Sequence, residues 1–255
     1  MLQAHSFLWH YFWLAPHILQ LALALLLWRR GVHRQLPFFF AYLIFEAIEE
    51  FILYGLDISP SISVEVWWRA FWAGLILEGL LKFAVIGELL SRLLQPWPAL
   101  AKFGSNFIRS VGATLILLAA LAAAFVTPDN NHWVISGAHI LRQTLYLTQA
   151  GLILSIFLLA AYFHVAWDRI SFGIALAFGL VWCQHLADWA LTAGGTFMSS
   201  RDTLDMVNMV TYQLAVLIWF YYFLVPEKVS VHSVVILSEH NLDIWNRELE
   251  RFLQP

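Results

Sequence analysis

The sequence contains little charge and almost no cysteine. Only 12% of its 255 residues are Asp, Glu, Lys or Arg, whereas soluble domains carry about 25%. A disordered chain needs abundant charge and few apolar residues, so that class is excluded. A single cysteine excludes a fold held together by several disulfides. The net charge of −3 provides no basic field for nucleic acid, and no nucleic-acid partner is expected.

Apolar and aromatic side chains dominate what remains. Hydrophobic residues make up 61% of the chain, which includes 13 Trp, 8 Tyr and 20 Phe. Amphipathic aromatic rings concentrate at the two interfaces of a bilayer and fill gaps between its helices. The composition therefore predicts an integral membrane protein, whose first partner is the lipid bilayer.

Seven apolar stretches approach the roughly 20 residues that a spanning helix needs. They cover about 7–28, 37–55, 67–90, 109–126, 139–166, 170–193 and 205–225. Proline, glycine and short polar residues between them are typical of helix ends. Two segments leave alternatives: 92–108 fits a short interfacial helix, and 132–145 fits a half-helix leading into the fifth stretch. The prediction is an all-α polytopic membrane protein, with a bundle of seven transmembrane helices over 1–226.

The distribution of Lys and Arg predicts the orientation of this bundle. Ten basic residues fall on one side of the predicted membrane and three on the other. Because Lys and Arg accumulate in cytoplasmic loops, the N-terminus is expected outside and the C-terminus in the cytoplasm of a multi-pass protein of the cytoplasmic (inner) membrane. The first apolar stretch has no basic residue before it and Arg29 and Arg30 directly after it, so we expect a retained span rather than a signal peptide.

Residues 227–255 form the predicted cytoplasmic tail. Its first part, 229–237, is rich in β-branched residues and is expected to be extended. Apolar residues then recur at helical spacing, namely Leu242, Trp245, Leu249 and Phe252. They predict a short amphipathic helix, which either lies on the lipid surface or the inner ends of the bundle or docks a partner.

Charged residues inside the predicted spans are the first place to look for function, because they are costly there. Helical rise places seven polar residues roughly 12–20 Å from the inner end of the bundle. They are His17, Glu46, Glu49, Glu50, Glu78, Lys82 and Gln213. Glu46, Glu78 and Lys82 predict either ion-paired or protonated side chains that hold helices in register, or a relay for protons or ions. His17 predicts a hydrogen bond between helices or a ligand to a metal or haem iron, and Gln213 predicts a hydrogen bond between helices.

Two spacings within this set are informative. Glu78 and Lys82 are four residues apart, so they share one helix face with the acidic residue first. Glu46, Glu49 and Glu50 lie within five residues, and one helix cannot turn all three toward one neighbour. We therefore expect at least one of them to face water, a ligand, a metal or a partner subunit.

A second polar layer is predicted nearer the outer face, roughly 24–28 Å from the inner end. It contains His10, His185 and Asp188, together with Gln149 and Asn208. His185 and Asp188 are three residues apart, as in a helical pair of metal ligands. The layer predicts either hydrogen bonds between helices or a site for zinc or haem iron built on its histidines.

Two families resemble this outline without matching its residues. Seven spans with an outside N-terminus resemble a microbial rhodopsin, but the lysine that holds retinal in the seventh span is absent from 205–225. Seven-helix membrane hydrolases of the ceramidase and progestin-receptor type hold zinc with histidines and an aspartate, which are the residue types of His10, His185 and Asp188. Their paired-histidine helix motif is absent here, so no family is identified.

Three kinds of function remain open. The first is non-enzymatic binding of a small ligand, a partner membrane protein or a second copy of the chain, as in a receptor-like protein or an accessory subunit. The second is a metal-dependent hydrolase that uses a metal-bound water at the outer layer. The third is a proton-coupled transporter or channel that uses the buried glutamates. A haem-binding electron-transfer subunit is the remaining alternative.

Overall fold

The computed structural model describes residues 6–59, 62–124, 131–162, 165–193, 201–225 and 239–253. In these residues the fold is all-α, as the sequence predicts. The α-helices are α1 (Phe7–Arg29), α2 (Pro37–Asp57), α3 (Val64–Leu93), α4 (Pro98–Ala124), α5 (Asn131–Tyr162), α6 (Arg169–Ala193), α7 (Arg201–Leu224) and α8 (Glu239–Leu253). A 3₁₀ turn over Val32–Arg34 connects α1 to α2.

Local sequence explains several of the helix ends. α1 ends before Gly31, which has a φ of 72°, a left-handed conformation that glycine adopts without strain. α2 begins with Pro37, whose fixed φ suits the first helical position. α3 begins after Ser63, whose hydroxyl accepts the backbone N–H of Val66 at 3.4 Å. Each apolar run therefore starts or stops at a residue with the matching backbone chemistry.

Several predicted boundaries differ from the structure, most of all those of α4 and α5. α4 is a continuous helix from Pro98, so no separate interfacial helix covers 92–108. α5 is one helix from Asn131, not a half-helix followed by a span. It ends at Tyr162, and 165–168 are not helical, so the predicted end at 166 is wrong. Val165, Ala166 and Trp167 prolong the apolar run beyond the helix, which is why hydrophobicity alone misplaced this end.

Four of the described helices are long and apolar enough to cross a membrane. They are Phe7–Arg29, Leu141–Tyr162, Arg169–Asp188 and Thr203–Leu224. The chain is therefore a membrane protein, as its composition predicts. The four do not include α2 and α3, the two helices that carry the predicted glutamates and lysine.

The helices pack side by side with α3 in the middle. α3 contacts α2, α4, α5 and α6, while α1 contacts both α2 and α7. The largest fully buried side chains include Phe39, Tyr42, Trp182 and Trp219. Because α3 has neighbours on most sides, the charged residues along its middle are placed inside the protein.

Arginines from two helices cap the end of α7. Arg30 Nη1 donates to the carbonyl oxygen of Phe223 at 2.7 Å, and Arg169 Nη1 donates to that of Val225 at 2.5 Å. The last carbonyls of a helix lack partners within it and attract cations. We call this end of the molecule the basic end; its arginines are Arg29, Arg30, Arg34, Arg92 and Arg169.

α8 forms as the sequence predicts and packs on α4. Leu242 is 1% exposed, and Asn246 Oδ1 accepts the backbone N–H of Ala99 at 3.0 Å. Leu242 therefore anchors α8 to the protein and is not accessible to a partner, whereas Trp245 is 59% exposed. The side chains of Leu249 and Phe252, and the predicted extended segment 229–237, lie outside the described residues.

Candidate functional site

Lys82 is the centre of the buried charged residues. Its side chain forms an ion pair with Glu78 one turn earlier on α3, the pair that the spacing predicts. Glu46 of α2 also interacts electrostatically with Lys82. The Lys82 ammonium lies 5.6 Å from the ring centroid of Tyr42 and 5.8 Å from that of Tyr146, both within cation–π range. Lys82 and Glu46 are only 4% and 7% exposed, so these charges interact out of contact with solvent.

The three glutamates of α2 turn toward two different helices. Glu50 Oε2 accepts a hydrogen bond from Trp13 Nε1 of α1 at 2.8 Å. The Glu49 carboxylate occupies the space beside Gly74 of α3 that a β-carbon there would need. Glu46 Oε2 is buried and has no hydrogen-bond partner among the described residues. Glu50 thus has a hydrogen-bond donor on α1, Glu49 packs against Gly74 of α3, and Glu46 keeps an oxygen available for a proton or a ligand.

A chain of hydrogen bonds connects α1 and α7 to the same region. His17 Nδ1 is hydrogen-bonded to Gln20 Oε1 at 3.2 Å, and the Tyr212 hydroxyl donates to that oxygen at 3.0 Å. The hydroxyls of Tyr212 and Tyr42 are 3.4 Å apart. Because the Tyr42 ring also lies beside Lys82, this polar chain reaches from His17 to the charged residues.

The structure therefore brings together five of the predicted residues, which we call the glutamate–lysine cluster: Glu46, Glu49, Glu50, Glu78 and Lys82. His17 is connected to it through the polar chain. Gln213 is half-buried, and its Oε1 has no hydrogen-bond partner among the described residues. Sequence reasoning missed Gln20 and Tyr42, although Gln20 lies three residues after His17 and Tyr42 four before Glu46, the spacings of helix neighbours.

Two histidines of the predicted outer layer contact different tyrosines. His10 Nδ1 is hydrogen-bonded to the hydroxyl of Tyr54 at 3.2 Å, which joins α1 to α2. The His185 ring stacks on Tyr146 with centroids 4.1 Å apart and an interplanar angle of 3°, which joins α6 to α5. Each histidine thus forms an interhelical contact, which is a hydrogen bond at His10 and ring stacking at His185.

The remaining residues of the outer layer also lie between helices. Asn208 Nδ2 of α7 donates to Asp188 Oδ2 of α6 at 3.0 Å. Gln149 is 1% exposed, and neither atom of its amide group has a hydrogen-bond partner among the described residues. Within the part of the chain that the structure describes, no group of three or more His, Cys, Asp or Glu side chains is arranged to hold a metal ion. The zinc hypothesis therefore gains no support from this layer.

Replacing Trp13 with phenylalanine is expected to lower the free energy of unfolding by about 1–3 kcal/mol, because the Glu50 carboxylate would lose its buried donor. Thermal unfolding in detergent measures the effect. Trp28→Phe is the matched control, since Trp28 lies on the same helix and is 61% exposed. Equal shifts in the two variants would show that the hydrogen bond to Glu50 contributes nothing.

Comparisons of this chain with protein-family models, with curated proteins and with solved structures found no match. Function belongs to sites rather than to folds, since one fold supports many activities. The glutamate–lysine cluster is therefore the strongest indication of what the protein does.

Proposed function

We propose that the protein is a proton-coupled membrane transporter that binds protons at the glutamate–lysine cluster. The observation that carries the proposal is an excess of acid: Glu46, Glu49, Glu50 and Glu78 interact with one another and with the single amine of Lys82. If all were ionised, three negative charges would lack a counter-charge inside an apolar helix assembly. Such charges are costly in a bilayer, and protons are the simplest species to compensate them.

The surroundings of the cluster support movement of these protons. Glu46 Oε2 is buried without a hydrogen-bond partner among the described residues, so it offers a position for a proton. The hydroxyls of Tyr42 and Tyr212 can both donate and accept hydrogen bonds, whereas Gln20 Oε1 only accepts, so the series of groups able to pass a proton runs from Tyr42 to Tyr212. A cluster that only held helices in register would need neither the excess acid nor this chain.

We also propose a seven-span topology, which the contacts at the basic end support. The hydrogen bonds at the basic end join the end of α1, the start of α6 and the end of α7. Arg92 at the end of α3 likewise donates to the carbonyl oxygen of Gln35, just before α2, at 3.3 Å. Ends of odd-numbered helices thus meet starts of even-numbered ones, as expected if α1 to α7 cross the membrane in alternation. Because Lys and Arg accumulate on the cytoplasmic side, its arginines support an orientation with the basic end in the cytoplasm, below the inner membrane, and the N-terminus outside.

Charge movement after a pH jump tests the proposal without knowledge of the transported ligand. Proteoliposomes adsorbed on a solid-supported membrane electrode would be switched from pH 8 to pH 6, so that the proton itself is the probe. The unaltered protein is expected to give a transient current, because protons that reach the cluster carry charge into the membrane. Glu46→Gln/Glu78→Gln is expected to reduce the current about tenfold or more.

Glu65→Gln is the matched control for these variants. Glu65 lies on α3 like Glu78, but its side chain is 63% exposed and pairs with Arg69 at the surface. The control is expected to retain the full current. A current of unchanged size in Glu46→Gln/Glu78→Gln, or no current in the unaltered protein, would overturn proton binding at the cluster.

A second candidate function, attachment of a partner membrane protein or a second copy of the chain, is favoured by α8. Leu242 fixes this helix to α4, while Ile244 and Trp245 are 41% and 59% exposed. An anchored helix with an exposed apolar face suits either the lipid interface or a protein partner. Ile244→Ser/Trp245→Ser is expected to lower the mass of the detergent-solubilised assembly, measured by light scattering. An unchanged mass would leave the lipid interface as the role of this face.

A further inference from the structure

A cleft of about 830 Å³, whose lining includes no residue of the glutamate–lysine cluster, lies between the start of α2, the second half of α3 and the middle of α4. Its walls are mainly apolar and include Leu80, Phe83, Ala84 and Ile108. Cavities of this size accommodate ligands as large as a cofactor or a lipid chain. The cleft is therefore large enough for a ligand that is mostly hydrocarbon.

Several polar side chains line the cleft near the basic end of the molecule. They include Arg34, Gln35, Arg92 and Gln95. Within the described residues, neither arginine forms a close ion pair with a carboxylate, although Arg92 interacts electrostatically with Glu88 one turn earlier on α3. Arg92 uses one N–H on the Gln35 carbonyl oxygen, and a guanidinium has five donors. The two arginines therefore keep most of their donors for an anionic group.

One carboxylate, that of Glu88, also lines the cleft. Its oxygens accept the backbone N–H groups of Phe38 and Phe39 at 3.3 and 3.0 Å, and so cap the first turn of α2. Leu36, which precedes the first residue of α2, has an apolar side chain and forms no capping hydrogen bond. Glu88 is thus engaged by the positive end of a helix, which reduces its repulsion of an anion held by the arginines.

The length of the cleft matches one leaflet of a bilayer. From Leu80 to Arg92, helix α3 rises about 18 Å. One leaflet contributes about 15 Å of hydrocarbon. With α3 across the membrane, as the proposed seven-span topology requires, the apolar walls cover the depth of an acyl chain and the arginines lie at the depth of lipid phosphates.

Two glycines keep the cleft open although helix packing does not require them. A β-carbon at Gly87 would meet only Ile108, at 3.8 Å, and one at Gly112 would meet Phe83, also at 3.8 Å. Both contacts cross between α3 and α4 at ordinary van der Waals distance, and all four residues line the cleft. The absence of side chains at these lining positions leaves its volume free.

From these observations we infer that the cleft binds one anionic phospholipid of the cytoplasmic leaflet. Its phosphate interacts with Arg34 and Arg92, and an acyl chain lies along Leu80, Phe83 and Ile108. Basic pockets between helices on the cytoplasmic side suit such headgroups, because the arginines are held where the phosphate lies. The site is separate from the proton-binding cluster and does not depend on it.

Native mass spectrometry of the delipidated full chain, with defined lipids added back, tests this inference. The two lipids are phosphatidylglycerol and phosphatidylcholine with identical acyl chains, which differ in net charge. The unaltered protein is expected to retain phosphatidylglycerol about tenfold better than phosphatidylcholine. Arg34→Gln/Arg92→Gln is expected to lose this preference. Arg29→Gln, which removes one positive charge at the basic end but outside the cleft, is expected to keep it.

Further variants separate the acyl chain from the headgroup. Gly87→Leu fills the cleft and is expected to lower retention of both lipids, whereas Gly55→Leu, at a glycine with open space around it, is not. Ala84→Phe serves the same purpose if Gly87→Leu does not fold. Equal retention of the two lipids by the unaltered protein would overturn the inference. Displacement of phosphatidylglycerol by glycerol 3-phosphate alone would also overturn it, in favour of a soluble phosphate ester.

Discussion

Lys82→Met is expected to lower the free energy of unfolding by about 3–5 kcal/mol, because removal of one partner leaves a buried charge uncompensated. Glu78 would lose its ion pair, and Glu46 the cation with which it interacts. Methionine keeps most of the side-chain volume, so the loss reports on charge rather than on a cavity. Thermal unfolding in detergent, followed by tryptophan fluorescence, measures it.

Arg69→Met provides the matched control on the same helix. Arg69 pairs with Glu65 four residues earlier, but the two side chains are 77% and 63% exposed. An exposed pair of this kind contributes about 0–1 kcal/mol. Lys82→Met/Glu78→Gln, which removes both charges, is expected to recover part of the stability. If Lys82→Met and Arg69→Met had equal effects, Lys82 would not be the counter-charge of the buried glutamates.

Gly173→Ala is expected to destabilise the protein by about 1–3 kcal/mol, the range for overpacking. A β-carbon at this buried position of α6 would overlap the base of the Tyr222 ring on α7. Because the overlap involves the first atoms of the tyrosine side chain, a change of side-chain rotamer does not relieve it, and the two helices must separate. Thermal unfolding measures the loss.

Gly151→Ala is expected to stabilise the protein, in contrast to Gly173→Ala. Gly151 lies in α5, is exposed and has no atom within 4 Å of the position of an added β-carbon. Alanine restricts the unfolded chain and favours helix, which stabilises by up to about 1 kcal/mol. Two substitutions of identical chemistry should therefore shift the melting temperature in opposite directions. Destabilisation of the same size at both positions would argue against close packing of α6 on α7 at Gly173.

Most helix positions could be predicted because they depend on local chemistry. Apolar runs, Pro37 and Ser63 set where helices begin, and the described helices coincide with the predicted stretches within a few residues except at the end of α5 and the starts of α4, α5 and α7. The residues from Val165 to Trp167 explain why the predicted end of α5 is wrong. An apolar residue extends a hydrophobic run whether or not the backbone remains helical. Whether α2 and α3 span a membrane depends on the neighbouring helices that shield their charges. The sequence of a single segment contains no information about those neighbours.

The candidate site could be predicted only in part, for a related reason. The ion pair of Glu78 and Lys82 is a contact within one helix, so spacing predicts it. The Trp13–Glu50 hydrogen bond joins two helices, and it depends on how each is rotated about its axis. Residue depth along a helix gives no information on that rotation. His10 and His185 were placed in one layer by depth, but rotation turns them toward different tyrosines.

The contacts between the first and last long helices have a consequence for synthesis. Gln20 receives its hydrogen bond from a residue 192 positions later, and Arg30 caps a carbonyl 193 positions later. At about 5–20 residues per second, a ribosome needs about 10–40 s to make the intervening chain. During that interval the polar side chains of α1 are already inserted without their final partners. The insertion machinery or water must therefore solvate them until α7 arrives, and these contacts cannot form before α7 has been synthesised.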